Sequence, residues 1–134
     1  MKDRLNALTE QIIGGAIAVH RALGPGLLES AYESCLTFEL MDRGLSIERQ
    51  KALPVVYRGV QMDCAYRLDI LVGRDVIVEV KAVERIGRLH EAQMLSYLKL
   101  SGCKVGLLFN FNVRWLVDEG IKRFVNGFPE QERH

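Results

Sequence analysis

Residues 68–81 read Leu68-Asp69-Ile70-Leu71-Val72-Gly73-Arg74-Asp75-Val76-Ile77-Val78-Glu79-Val80-Lys81, two apolar runs on either side of a Gly-Arg-Asp break. Apolar β-formers flanking a turn signal read as the two strands of a hairpin. Asp75 to Val83 is the clearest strand of the chain. Alternation puts Val76, Val78, Val80 and Ala82 on one face and Ile77, Glu79 and Lys81 on the other. The loop length then sets the register. With a three-residue loop, Gly73-Arg74-Asp75, Val72 faces Val76 and Asp69 falls opposite Glu79. With a two-residue loop, Gly73-Arg74, Asp69 falls opposite Val78 and points to the other face. A joint role for Asp69 and Glu79 therefore requires the odd loop or a bulge.

Outward from this hairpin the pattern is helical on both sides. Leu5, Leu8, Ile12, Ala16, Val19 and Leu23 recur three or four apart, which predicts a first helix stopped by Gly24-Pro25-Gly26. A second helix is expected from about Leu27 to Arg43, with Leu28, Ala31, Tyr32, Cys35, Leu36 and Leu40 buried and Gly44 as its stop. From Leu45 to about Val83 the chain is rich in Val, Ile and Tyr, with turn signals at Arg58-Gly59 and Gly73-Arg74. That segment reads as a run of four strands. A third helix follows from about Arg88 to Leu100, then a buried strand from Lys104 to Phe111 and a last helix from about Asp118 to Val125. The expected order is α-α-β-β-β-β-α-β-α, an α/β (α+β) domain whose mixed sheet carries helices on both sides. One domain over residues 1–134 is expected, with its core at about 5–126 and a polar end, residues 129–134, that frays.

Composition bounds the function. The chain has 134 residues, 49% of them hydrophobic and 26% charged, which fits one globular domain and argues against disorder. Such a length buries roughly two-thirds of the unfolded surface, enough for a core without staples. Lys and Arg total 18 against 17 Asp and Glu, so there is no wholesale basic surface, although a local patch facing phosphate is compatible with that balance. Cys35, Cys64 and Cys103 are scattered, as are His20, His90 and His134, which excludes a zinc ribbon or disulfide scaffold. Three reduced thiols, mostly in the core, are expected in a cytoplasmic protein. No apolar run approaches the roughly 18 residues of a membrane span.

Chemistry is expected where charge interrupts the apolar strands. Burying carboxylates is costly unless they are paired or hold a metal. Glu79 and Lys81, two apart on a strand, point the same way, and Asp69 joins them if the register is right. Two adjacent carboxylates on a rigid sheet suit a hard divalent cation such as Mg²⁺, whose remaining positions are filled by water and phosphate oxygens. Such an ion activates water and offsets phosphodiester charge, and a nearby lysine steadies the water or the developing anion. Gln93 and Tyr97, four apart, share one face of the third helix.

These residues resemble the PD-(D/E)xK nuclease superfamily, with its restriction-endonuclease-like fold: Asp69, then Glu79-Val80-Lys81. Gln93-Met94-Leu95-Ser96-Tyr97 resembles the Gln-x-x-x-Tyr motif of its exonuclease-like branch. Gly26-Leu27-Leu28-Glu29-Ser30-Ala31-Tyr32 is similar to the signature of the GxxExxY proteins, as are Val19 to Pro25 and His90-Glu91-Ala92-Gln93. The resemblance spans about Ile12 to Val125. It implies that Asp69 and Glu79 hold Mg²⁺ or Mn²⁺, with the Val80 carbonyl as a further ligand, and that Lys81 is the catalytic lysine. It implies that Glu29 is the extra acid of the early helix, and that Gln93 and Tyr97 shape the site or touch nucleic acid. Leu68 stands where the superfamily name has proline.

The expected function is a metal-dependent nuclease on nucleic acid, with DNA as the expected polymer. The alternatives are a non-catalytic module that keeps the fold and binds nucleic acid or protein, and an enzyme on a small phosphorylated substrate. An intact set of acids plus lysine speaks against the first alternative, because a dead site has no physical need of them. A homo-oligomer is compatible with so small a domain. Structural readings stand beside these. Tyr32 reads as a core aromatic with a satisfied hydroxyl, His20 and His90 as helix-end residues, and Gly24-Pro25-Gly26 as a turn. Arg85, Arg88, Lys99 and Lys104 are either a phosphate-facing patch or solvated surface.

Overall fold

The structure is a computed structural model describing residues 2–126, so the end expected to fray, residues 129–134, lies outside the described residues. The elements are α1 (Lys2–Leu23), α2 (Glu29–Asp42), β1 (Ile47–Tyr57), β2 (Val60–Val72), β3 (Val76–Lys81), α3 (Arg88–Ser101), β4 (Val105–Asn110), α4 (Leu116–Glu119) and β5 (Ile121–Val125). The strands form one sheet in the order β1-β2-β3-β4-β5, parallel only between β3 and β4 and antiparallel elsewhere. Among the described residues, no helix is long and apolar enough to cross a membrane.

Both faces of the sheet are covered, which is why β3 and β4 read as near-continuous apolar runs. Ile12, Ala16 and Val19 of α1 and Tyr32, Leu36 and Leu40 of α2 pack with Val76, Val78, Val80, Leu107 and Phe109. The two helices approach closely at Gly15, where an added Cβ would lie 2.7 Å from Leu40 Cδ2. Met94, Tyr97 and Leu98 of α3 pack with Leu68, Ile77 and Leu108 of the opposite face.

The structure corrects the sequence reading at four points. The segment after Leu45 forms three strands, not four. Its two turns divide it into three, and β2 carries neither Gly nor Pro to break it. The expected last helix is a single turn followed by β5. Gly120 ends the turn, and β5 pairs with β4, whose six residues are all buried and which would otherwise be an open edge. The buried side of α2 is Tyr32, Glu33, Leu36, Thr37 and Leu40, because the helix begins at Glu29. That leaves Leu28 outside it and exposed, turns Cys35 to the surface and half-buries Ala31. The thiols are not mostly in the core: Cys35 and Cys64 are exposed and only Cys103 is buried.

The β2–β3 hairpin has the three-residue loop. Val72 pairs with Val76, Leu71 with Ile77 and Ile70 with Val78. Gly73 opens the loop at φ 60, a left-handed conformation that favours glycine. Beyond Ile70 the β1–β2 pair runs on without β3. Ile70 packs with α1 and α2, yet Leu68 packs with α3, where strict alternation would put both on one face. The alternation breaks at Asp69, at the position facing Gln50, whose φ is 49.

Candidate functional site

Asp69 and Glu79 occupy the rung just past the last backbone pair of β2 and β3, and their side chains make that rung. Asp69 donates its backbone N–H to Glu79 Oε2 at 2.9 Å, and Val80 donates its N–H to Asp69 Oδ2 at 2.8 Å. Val80 thus engages Asp69 through its amide while its side chain lies in the core. Glu79 is only 5% exposed and Asp69 is half-buried. The second oxygen of each carboxylate takes no hydrogen bond from a described residue.

Burial and like charge dominate the electrostatics. Glu79 is pushed up to about 8, first by burial and then by the neighbouring Asp69 carboxylate, and the Asp69 N–H and Lys81 ammonium only partly offset this. Asp69 is also raised, by burial first and then by Glu33 and Glu29, against the Val80 N–H and Lys81. Two carboxyls so placed hold a proton between them more readily than they hold two negative charges.

Around the pair, Lys81 is fixed through its backbone. Its carbonyl accepts the Phe111 N–H at 2.9 Å, and it pairs with Asn110 across β3 and β4. Its ammonium bonds no described residue and is close enough to bias both acids. Glu29, at the first position of α2, accepts the Ala82 N–H at 3.2 Å, just past Lys81. Tyr97 is buried on the face of the sheet that α3 covers, and its hydroxyl is raised by that burial and then by the charges of Glu79 and Asp69. Gln93 shares a hollow of about 250 Å³ with Tyr97, Tyr66, Leu89, Ala92 and Ser96. The fold thus brings Asp69, Glu79, Lys81, Glu29 and Tyr97 together, with Gln93 one turn of α3 away from Tyr97.

Three participants escaped the sequence reading. Glu33 is 7% exposed and accepts bonds from Arg49 (3.3 and 3.2 Å) and Gln50 (3.1 and 2.9 Å), and its charge reaches both Asp69 and Glu79. Its signal was available: it follows Glu29 by four residues. Asn110 is buried, and its amide group both donates to the Val83 carbonyl (2.9 Å) and accepts the Val83 N–H (3.1 Å), clamping the segment after Lys81 to β4. A polar residue ending an apolar strand was its signal. Tyr66 packs its ring 5.4 Å from that of Tyr97.

The structural readings hold for the remaining residues. His20 Nε2 donates to the Val113 carbonyl at 2.7 Å, and His90 Nδ1 accepts the Gly87 N–H where α3 begins. Tyr32 donates its hydroxyl to the Gly24 carbonyl and accepts the Leu27 N–H, with its ring stacked 4.6 Å from that of Phe111. Arg85 and Arg88 follow the end of β3 that carries Lys81, whereas Lys104 bonds Asp75 at the other end, so the four basic residues form no single patch.

The donor set suits a hard cation. Two carboxyls whose mutual charge Lys81 and the backbone N–H groups offset only in part, each keeping an oxygen free of bonds from described residues, are what a divalent ion relieves. No three His, Cys, Asp or Glu side chains among the described residues converge on one point, so an ion there would complete its shell with backbone, water or substrate oxygen.

Comparison with known proteins agrees with this geometry. The family model of the PD-(D/E)XK nuclease superfamily matches residues 6–124. No curated protein and no solved structure gives a significant match. A mixed five-stranded sheet with helices on both sides is the restriction-endonuclease-like architecture, and with nearly the whole chain matched, the protein belongs to the PD-(D/E)XK nuclease superfamily.

Proposed function

We propose that the protein is a divalent-metal-dependent nuclease that hydrolyses phosphodiester bonds of nucleic acid, with DNA as the substrate. The observation that carries this reading is the rung of Asp69 and Glu79. They are a buried Glu79 and a half-buried Asp69 opposed across the hairpin, with a lysine two residues on and no cationic side chain among the described residues bonded to either. Superfamily membership supports it, because PD-(D/E)XK nucleases typically use divalent metal ions.

In this reading Asp69 and Glu79 hold Mg²⁺ or Mn²⁺, with the Val80 carbonyl as a further ligand. A cation held there supplies Lewis acidity to the phosphodiester and lowers the pKa of water. Lys81 directs its ammonium at the attacking water and at the charge developing on phosphate. Glu29 keeps the end of β3 in place through Ala82 and adds negative potential for the cation. Gln93 and Tyr97 line the approach from α3 and contact the strand.

The test is calorimetric titration of Mn²⁺ and Mg²⁺ into the full chain and into Asp69→Asn, repeated with a non-cleavable oligonucleotide present. Asn keeps an oxygen for the Val80 N–H, so the variant removes charge without removing the rung. Binding by the parent and its loss in Asp69→Asn are expected, as is loss of DNA cleavage in Lys81→Ala. Equal binding by both chains would overturn the metal assignment. Metal-free binding of DNA without cleavage would favour a non-catalytic module.

A further inference from the structure

The fold leaves one tryptophan unexplained. Trp115 is the only tryptophan of the chain, and it is 58% exposed, just ahead of the single turn α4. Val117, also exposed, lines the same hollow, so the apolar surface here is contiguous, while Leu116 between them is buried as the core requires. The Arg114 guanidinium lies 5.2 Å from the centre of its ring. Trp115 and Arg114 line a hollow of about 440 Å³, with Arg21 and the Gly24-Pro25 loop on its other side. Ligand pockets span about 300–1,000 Å³. Arg21 and Arg114 are exposed and bond no described carboxylate, and Asp118 is the one acid on the wall.

The position of this hollow follows from the topology. Because β3 and β4 are parallel, Lys81 and Asn110 end side by side. The segment after β4 then carries Phe111, Arg114 and Trp115 away from that end. The other wall is tied to the same place: Tyr32 stacks on Phe111, its hydroxyl bonds Gly24, and Glu29 three residues earlier reaches Ala82. The two loops that border the hollow are thus tied by hydrogen bonds to the end of β3, one through Phe111 at Lys81 and the other through Glu29 at Ala82.

We infer that this hollow is a binding site for one unpaired nucleotide of single-stranded DNA, its base stacked on the Trp115–Arg114 pair and its phosphates met by Arg21 and Arg114. The inference rests on the nuclease reading and adds to it the form of the substrate: an unpaired segment lying beside the bond that is cut. The chemistry selects this ligand. A flat apolar ring flanked by guanidinium groups offers stacking to any base and charge to any phosphate, which is how single strands are held without sequence readout. A paired base has both faces occupied by its neighbours and cannot use the ring.

Since Trp115 is the sole tryptophan, its emission reports on this site alone. The experiment adds a short oligo(dT) strand to the full chain at low salt in a chelator, so that nothing is cleaved. Saturable quenching is expected with the single strand and none with a blunt-ended duplex in which every base is paired. With a labelled strand, Trp115→Ala is expected to weaken binding about five- to a hundredfold, while Trp115→Phe stays within a few-fold. Arg21→Ala and Arg114→Ala are each expected to lower the slope of log affinity against log salt by about 0.7. A strand that fails to bind, or that binds with Trp115 emission unmoved, would overturn the inference, as would equal quenching by the duplex. The two readings fail separately. Quenching in a chain that neither binds metal nor cleaves would uphold this site and defeat the nuclease. Cleavage without quenching would do the reverse.

Discussion

Asp69 and Glu79 face each other across the β2–β3 hairpin as a rung built from side chains, the Asp69 N–H donating to Glu79 Oε2 at 2.9 Å. The candidate metal-binding groups are thus also the acceptors that finish the sheet.

The first consequence concerns stability and pH. Glu79 is raised in the folded chain from an ordinary 4.5 to about 8, mainly by burial. The folded state therefore binds the proton more tightly than the unfolded one. Its contribution to stability is complete below about 4.5 and is lost as pH rises through about 8. Glu79→Gln imitates the protonated acid and keeps an acceptor for Asp69. Urea melts of the metal-free proteins should show the variant more stable at alkaline pH, with the gap closing toward acid at up to about 1.4 kcal/mol per pH unit. Parallel profiles for the two chains would refute the burial argument.

A second expectation follows for metal binding. A cation competes with the proton that the pair retains at neutral pH, so binding should release protons and strengthen with rising pH until Glu79 is ionised, near 8. Calorimetry in buffers of different ionisation enthalpy reads the released protons directly. Heats independent of the buffer would show that the acids were already ionised.

Asp69→Ala and Asp69→Asn should differ in stability though both lose charge. Alanine leaves the Val80 N–H without its acceptor beside the buried face of β3, at a cost of about 1–3 kcal/mol. Asparagine keeps an oxygen there. Denaturant midpoints should rank parent and Asn close together, with Ala clearly below. An alanine variant as stable as the asparagine one would mean that water replaces the carboxylate at no loss.

Tyr32→Phe tests the loop ahead of α2. The hydroxyl is the partner of both the Gly24 carbonyl and the Leu27 N–H, while the ring stacks on Phe111. Removing the oxygen alone should lower stability by about 1–2 kcal/mol and leave metal binding in place. Loss of metal binding in a folded Tyr32→Phe chain would show that the loop positions the acids as well.

Much of this was legible in the residues, for identifiable reasons. Spacing narrowed Asp69 to two registers, opposite Glu79 or opposite Val78, according to the length of the loop at Gly73-Arg74-Asp75, and the pairing of Val72 with Val76 in the fold selects the first. Lys81 and Tyr97 followed from periods of two and four. What escaped was set by tertiary contact. Asp118 to Val125 looked helical because nothing local says that β4 needs a second neighbour. Glu33 and Asn110 each carried a local signal, but their partners, Gln50 and Val83, lie far along the chain and only the fold brings them together. Trp115 carries no periodicity, and only the fold shows that it stands in water beside two arginines.

The double duty of the rung has an evolutionary reading. A descendant that abandoned chemistry could not discard Asp69 or Glu79 freely, because each serves as acceptor for a backbone amide of the hairpin. Their persistence in a lineage records selection for folding as much as for turnover, and the premise that a dead site has no need of its acids does not hold for this hairpin. Lys81 is different: its side chain bonds no described residue, so drift should erase it first, and its retention is the better witness to a working enzyme.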